Sequence, residues 1–362
     1  MGHPAVDNST PFAFEALFVT DEAGRPLAVP IVKGTFVLGE DPVLASLQDP
    51  VRLAGLAYGE PGETSDRMEP QVAFVKPGTD VALVGHAHAP RPDVADMEVE
   101  FQLGELRAAA RVRGNRHWQR RLLREVPTKP EPFERIPLVW ERAFGGWDRH
   151  AEDPDQHRAE MRNPFGVGYR RRRTPFMEGA PLPNIEGLGE EASSYSARVR
   201  PQGFGFTGVA WTPRSGFAGT YDQAWTDHRS PLLPKDFDRR LFQAAAPGLS
   251  SSAPLRGDER GVVRGATPDG ELVFQLPGIA PPNVTIGLQT SESEDVSMAL
   301  DTVVVDTDAM SLQLTWRGSL AVPRGAHDVA EFIISASGLP GATADLPTPI
   351  PFDQPLKLEP VQ

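Results

Sequence analysis

Cysteine is missing from the chain altogether. That excludes disulfides, thiol nucleophiles and Cys-ligated zinc, and it fits the bacterial cytoplasm. No run approaches the roughly 18 apolar residues that a helical membrane span requires. The opening MGHPAVDNSTPF has no charged stretch followed by an apolar one, so no secretory signal is expected. The expectation is a cytoplasmic protein with no membrane insertion. Basic charge is also in short supply. Lys+Arg 36 against Asp+Glu 49 leaves a net charge of −13, which repels phosphate backbones and argues against nucleic acid as a partner. The local exception is YRRRRTPF, residues 169–176, where Arg170 to Arg173 could grip a phosphate or an acidic partner; a solvated loop is the plainer reading.

Helical signals are scarce. Gly 34 and Pro 37 among 362 residues favour many short segments joined by turns. Hydrophobic content of 40% still suffices for a core, so the chain is not disordered. The clearest β signal is MEVEFQLGELRAAARVRG, residues 97–114. Its alternation and Gly104-Glu105 predict a hairpin that pairs Leu103 with Leu106, Glu98 with Arg111 and Asp96 with Arg113. A second hairpin is expected around Asp306 to Met310, with Leu312, Leu314 and Trp316 alternating with Gln313, Thr315 and Arg317. Further strands are expected over 12–20, 27–38, 71–76, 80–87, 271–276, 283–289 and 329–336. Helices are expected over 234–247, with Asp236 as N-cap and Pro247 as stop, and as short pieces over 117–125 and 154–162.

The fold expected is mostly β, with antiparallel sheets in sandwich-like layers, a long irregular Pro/Gly/Trp-rich central region and few short helices. The organisation expected is a β-rich half over 1–144, an irregular aromatic-rich region over 145–250 packed on the scaffold, a second β-rich half over 251–338, and a Pro-rich tail over 339–362.

Catalytic signatures are weak. GFGFTG, residues 203–208, matches a dinucleotide fingerprint, but RVRPQ before it is a poor strand and Pro213 prevents a helix after it. His86 and His88 in GHAHAP share one face of a strand and could bind a metal. Asp153, Asp155 and His157 are conceivable further ligands, although a structural pair is the commoner use of two such histidines. The loop DTD at 306–308 lacks the Gly and terminal Glu of a calcium loop. No catalytic residue, cofactor or metal is therefore assigned.

Two stretches stand out. WTPRSGFAGTYDQAW, residues 211–225, carries Trp211, Arg214, Tyr221 and Trp225, residue types that dominate protein-binding hot spots. The alternative is a core role, with Arg214 and Asp222 as buried partners. LVWERAFGGWD, residues 138–148, sets Glu141 and Arg142 in an apolar run. If 138–144 is a strand, these two point to opposite faces, and each needs its own distant partner. Gly145-Gly146 then reads as a sharp exit.

NSTPF, VKGTFVL, KPGTDVALVGHAHAP, VRGNRHW, ERAFGG, NPFGVGY, LPNIE, WTPRSGFAGTYDQAW, LPKDFDRRLFQAA, LRGDE and LDTVVVDTD occur in this order. The set, spanning about residues 5–335, resembles a bacterial family encoded beside type VI secretion genes. The resemblance implies a non-catalytic adaptor or chaperone whose partners are a secreted effector and the spike with its PAAR-repeat tip. Some relatives carry further modules in the same polypeptide, so this chain is expected to act in trans. A metal-dependent hydrolase using His86 and His88 and a structural part of the secretion assembly are the alternative readings.

Overall fold

A computed structural model describes residues 3–339, 341 and 343–350. The chain is mostly β, and among the described residues Gln223–His228 is the single α-helix. The long strand Pro26–Val37 organises an eight-stranded sheet. It lies between Val43–Ala45 and Ser311–Arg317, and the sheet continues through Ala299–Asp306 to Asp80–Val84. Ala13–Thr20 and Leu320–Ala321 also pair with the long strand. Most pairings are antiparallel, whereas Asp80–Val84 runs parallel to Ala299–Asp306. A five-stranded sheet orders Ile185–Gly187, Leu106–Arg113, Asp96–Leu103, Arg260–Arg264 and Glu271–Gln275. A four-stranded sheet orders Ala5–Asn8, Val329–Ser335, Asn283–Leu288 and Ser293–Val296.

One contiguous core joins these three larger sheets. Phe36, Leu83, Val303, Leu314 and Trp316 meet Val99, Phe101, Val263 and Phe274 of the five-stranded sheet and Ile286, Phe332 and Ile334 of the four-stranded one. Each such side chain contributes about 1.5–3 kcal/mol of burial free energy. Each of the two largest sheets contains strands from both 1–144 and 251–338, so these stretches share sheets.

The hairpin at 96–113 has the register its charges require: Leu103 faces Leu106, Glu98 faces Arg111 and Asp96 faces Arg113. Gly104 supplies the positive φ, 56°, that the turn demands. Other elements differ from the pattern-based reading. Residues 117–125 are not helical: Trp118–Arg121 and Arg124–Pro127 form a hairpin turning at Leu122-Leu123. Only one end is anchored, by Trp118 packed with Ala180, Leu182 and Tyr195, so no apolar stripe supports a helix. The segment 234–247 keeps only a 3-10 turn, Arg239–Phe242, capped by Asp238. Phe237 and Phe242 both pack on Phe74, at 6.4 and 5.0 Å, which a helix with its i, i+4 faces would prevent. Asp236 instead accepts from Thr220 N and Oγ1 at 3.0 and 2.7 Å. Residues 154–162 give a 3-10 turn, Pro154–Gln156, and then the short strand Arg158–Ala159. Residues 71–76 form no strand, because the carbonyls of Gln71 and Ala73 receive Arg317 Nη1 at 3.2 and 2.7 Å.

The strand expected over 80–87 breaks at Gly85, φ 149°. A Cβ there would lie 2.1 Å from Thr307 Oγ1. His86–His88 therefore leaves the large sheet and pairs with Arg135–Pro137. Of the Pro-rich tail, Thr343–Ala344 adds a parallel strand beside Val43–Ala45, and Ile350 N donates to Asp308 O at 3.0 Å. The remainder of that tail, 351–362, lies outside the described residues.

Candidate functional site

The acid and base of ERAFGG sit on a 3-10 turn, Trp140–Arg142, rather than a strand. Each has its own distant mate. Ser65 Oγ donates to Glu141 Oε2 at 2.8 Å and Ser65 N to Glu141 Oε1. Arg142 Nη1 donates to Asn184 Oδ1 at 3.0 Å. Burial pushes the Glu141 carboxyl above its usual range, against the pull of Ser65, and lowers the Arg142 guanidinium. Gly145 and Gly146 take φ of 154° and 87°. A Cβ on Gly146 would stand 2.1 Å from Gly166 O. Asn163 closes the joint, its Nδ2 donating to Trp140 O at 2.8 Å and Phe144 O at 3.1 Å. Two of the sequence motifs, ERAFGG and NPFGVGY, thus bind each other.

The residues of WTPRSGFAGTYDQAW separate into two groups. Trp211 is 4% exposed and packs edge-on against Trp140 at 5.5 Å and Phe165 at 5.7 Å. Arg214 is buried as well. Its Nε donates to Leu241 O at 2.7 Å, Nη1 to Thr207 O at 2.6 Å and Nη2 to Glu69. The partner of Arg214 is therefore Glu69 and not Asp222: Arg214 is buried in the 3-10 turn Arg214–Ala218, whereas Asp222 lies beyond that turn at the exposed start of the helix. Asp222 is exposed and caps the helix, accepting from Trp225 N at 2.8 Å. The second group sits at the start of that helix, Tyr221 just before the cap and Trp225 in the first turn. Tyr221 is 54% exposed and meets half-buried Trp225 edge to face, with ring centroids 4.8 Å apart. Trp225 Nε1 donates to Leu232 O at 2.8 Å, which fixes the ring.

GFGFTG is an edge strip along the large sheet. Leu83 N donates to Phe204 O at 3.0 Å, and Trp140 Nε1 to Phe206 O at 2.7 Å. The absence of a side chain at Gly203 admits the Trp140 ring, to which a Cβ would come within 2.8 Å. His86 is fully buried with Nδ1 2.8 Å from Asp308 Oδ2. The His86 and His88 rings are 6.5 Å apart. Among the described residues no group of three or more His, Cys, Asp or Glu is placed to hold a metal ion. Asp153, Asp155 and His157 form their own turn, with Asp153 Oδ1 accepting from Asp155 N at 3.0 Å and His157 Nε2 2.9 Å from Ala151 O.

Periodicity gave no sign of a buried polar layer over the outer face of the large sheet. Lys76 Nζ lies 2.8 Å from Asp80 Oδ2 and 3.9 Å from Glu69. Asp80 also accepts from Ala244 N at 2.8 Å and Ser250 Oγ at 2.6 Å. Arg317 pairs with Asp301 at 2.5 Å, and Gln71 Nε2 donates to Thr315 Oγ1 at 2.8 Å. Burial alone would lower the Lys76 ammonium, but Asp80 and Glu69 outweigh it and hold it above its usual value. Arg317, Thr315 and Gln313 are the polar half of the second hairpin, buried where alternation placed them in water. The signal available was charge inside strands: Lys33, Asp80, Asp301 and Arg317 interrupt otherwise apolar β runs. Such charges need partners: the segment 67–76 supplies them for Asp80 and Arg317, Lys33 finds Pro50 O, and Asp301 takes the other side of Arg317.

These joints define a class: a mostly β scaffold built on three larger sheets in which ordered sequence motifs fasten an irregular, aromatic-rich middle. The chain belongs to the family DUF2169, described as an uncharacterized protein conserved in bacteria, whose family model matches residues 23–317. No curated protein and no solved structure matches it.

Proposed function

We propose that this chain is a non-catalytic adaptor-chaperone of the type VI secretion system. It binds a secreted effector in the cytoplasm, stoichiometrically, and hands it to the spike and its PAAR-repeat tip. The ordered motif set supports the reading. The observation that carries it is the Tyr221–Trp225 pair at the start of a capped helix, its rings already held edge to face. Pre-positioned aromatics lose little freedom on binding, and they anchor interfaces. A net charge of −13 adds attraction for basic client segments. Release needs no nucleotide in this scheme, since the spike competes for the same contacts.

The test is co-expression with the product of a neighbouring effector gene. The expected result is a stoichiometric complex and more soluble effector than without the chain. Tyr221→Ala with Trp225→Ala should weaken that complex roughly 10- to 100-fold. No co-purification together with no gain in effector solubility overturns the proposal.

A further inference from the structure

The hairpin Trp118–Arg121/Arg124–Pro127 breaks three local rules within four residues. Its two-residue turn is Leu122-Leu123, with φ of 45° and 69°. Both residues occupy the left-handed region that a type I′ turn imposes and that Asn-Gly satisfies without strain. The two leucines are 98% and 95% exposed, so nothing among the described residues of this chain covers them. Arg121 sits directly opposite Arg124, a like-charge pair across the strands, where opposite charges would stabilise. Single exposed apolar residues are ordinary on any surface. Two adjacent leucines, both strained and both bare, flanked by two unfavourably paired arginines, are not explained by the stability of this hairpin. Sites where local rules fail together are sites kept for something other than folding.

We propose that this tip is a docking element that inserts into a partner protein, and that its receiving pocket is apolar at the floor and rimmed with carboxylates. The inference rests on the adaptor reading for the partner's identity, the effector, and adds the surface and its chemistry. Charge complementarity sets the pocket. The hairpin carries three arginines and one glutamate in a chain of net charge −13, so it is a basic point on an acidic protein. Acidic groups of the partner would separate the charges of Arg121 and Arg124 while the leucines leave water. Arg120 is already engaged, lying over the Phe176 ring at 4.9 Å and 3.7 Å from Glu125, and so braces the base of the hairpin. A protein pocket fits better than an anionic bilayer. The bilayer attracts the tip but repels the acidic remainder within a Debye length of the surface, whereas a pocket meets the tip alone.

The variant that separates binding from folding is Leu122→Asn with Leu123→Gly, which installs the preferred turn and removes the apolar tip. It is compared with the unaltered chain for binding to the co-expressed effector, by titration calorimetry and thermal melting. The expected result is an unchanged or higher Tm and affinity weakened roughly 30-fold. Arg121→Glu with Arg124→Glu should weaken binding, and by less at high salt, where the new repulsion from the carboxylate rim is screened. If the unaltered chain binds the effector and the Asn-Gly variant binds equally well, this inference falls and the adaptor reading stands. If the unaltered chain does not bind, the adaptor reading falls and takes this inference with it. Leucine-dependent flotation on phosphatidylethanolamine–phosphatidylglycerol vesicles, or a dimer of the chain that the Asn-Gly variant dissolves, would also overturn it.

Discussion

Lys33 gives the sharpest test of the buried polar layer. It stands in the middle of the strand Pro26–Val37, is fully buried, and its Nζ donates to Pro50 O at 3.2 Å. Burial, opposed by Asp49, lowers its ammonium from 10.5 to about 8. At about 1.36 kcal/mol per pH unit, that difference costs the folded state about 3 kcal/mol at neutral pH. Lys33→Met keeps most of the volume and removes the charge. It also loses one hydrogen bond to a carbonyl, worth about 1 kcal/mol. The expected net effect at pH 7 is a stabilisation of about 1–2 kcal/mol, read as a higher urea midpoint with an unchanged slope. The sign with pH follows from the depressed folded value. Between about 8 and 10.5 the unfolded chain holds the proton and the folded chain does not, so the unaltered protein gains stability as pH rises through that window. The advantage of Lys33→Met should therefore be full below pH 8 and fade above it. A variant less stable than the parent by more than about 1 kcal/mol, or an advantage independent of pH, would refute the reasoning.

Three other outcomes follow from the joints. Glu141→Ala leaves buried Ser65 without its acceptor and should cost about 2–4 kcal/mol, a fall of several degrees in Tm; Glu141→Gln keeps an acceptor, sheds a carboxyl already raised by burial, and should cost less than half as much. Effector binding lost in Glu141→Ala at unchanged Tm would show that the residue contacts the client instead. Gly146→Ala meets both a φ of 87° and a carbonyl oxygen 2.1 Å away, so it should cost more than about 2 kcal/mol and lower the yield of folded protein in a melt. His88 is held below its ordinary 6.5 mainly by burial. The unfolded chain therefore takes its proton first, and stability is lost as pH falls from 6.5 through the lower folded value. His88→Gln should flatten that acid limb in denaturant titrations at pH 5 to 7.

Much of the scaffold was legible because strands announce themselves by period 2. The hairpin at 96–113 was readable to the residue, since its turn glycine and its two outward ion pairs fix one register. The opposed needs of Glu141 and Arg142 were readable too, because a charge in an apolar run must have a mate. The mates were not, since Ser65 and Asn184 are 76 and 42 residues away. Local pattern failed wherever tertiary packing outweighed it. Asp236 has the look of a helix cap, but Phe237 and Phe242 close on Phe74 from positions five apart and leave one 3-10 turn. Arg317 and Thr315 alternate like a solvated face, and the segment 67–76 folds over them.

The sequence by itself determined composition-level limits, the β class and the register of the 96–113 hairpin, because these rest on spacing within a few residues. It also marked the tryptophan-rich middle as something to be packed or presented. Only the tertiary structure decided which residues do which. Trp211 and Arg214 go inward because Trp140, Phe165 and Glu69 wait for them from distant segments. Tyr221 and Leu122-Leu123 stay outside because no distant segment among the described residues covers them. Burial is a property of the whole fold, and a residue's neighbours in sequence do not carry it.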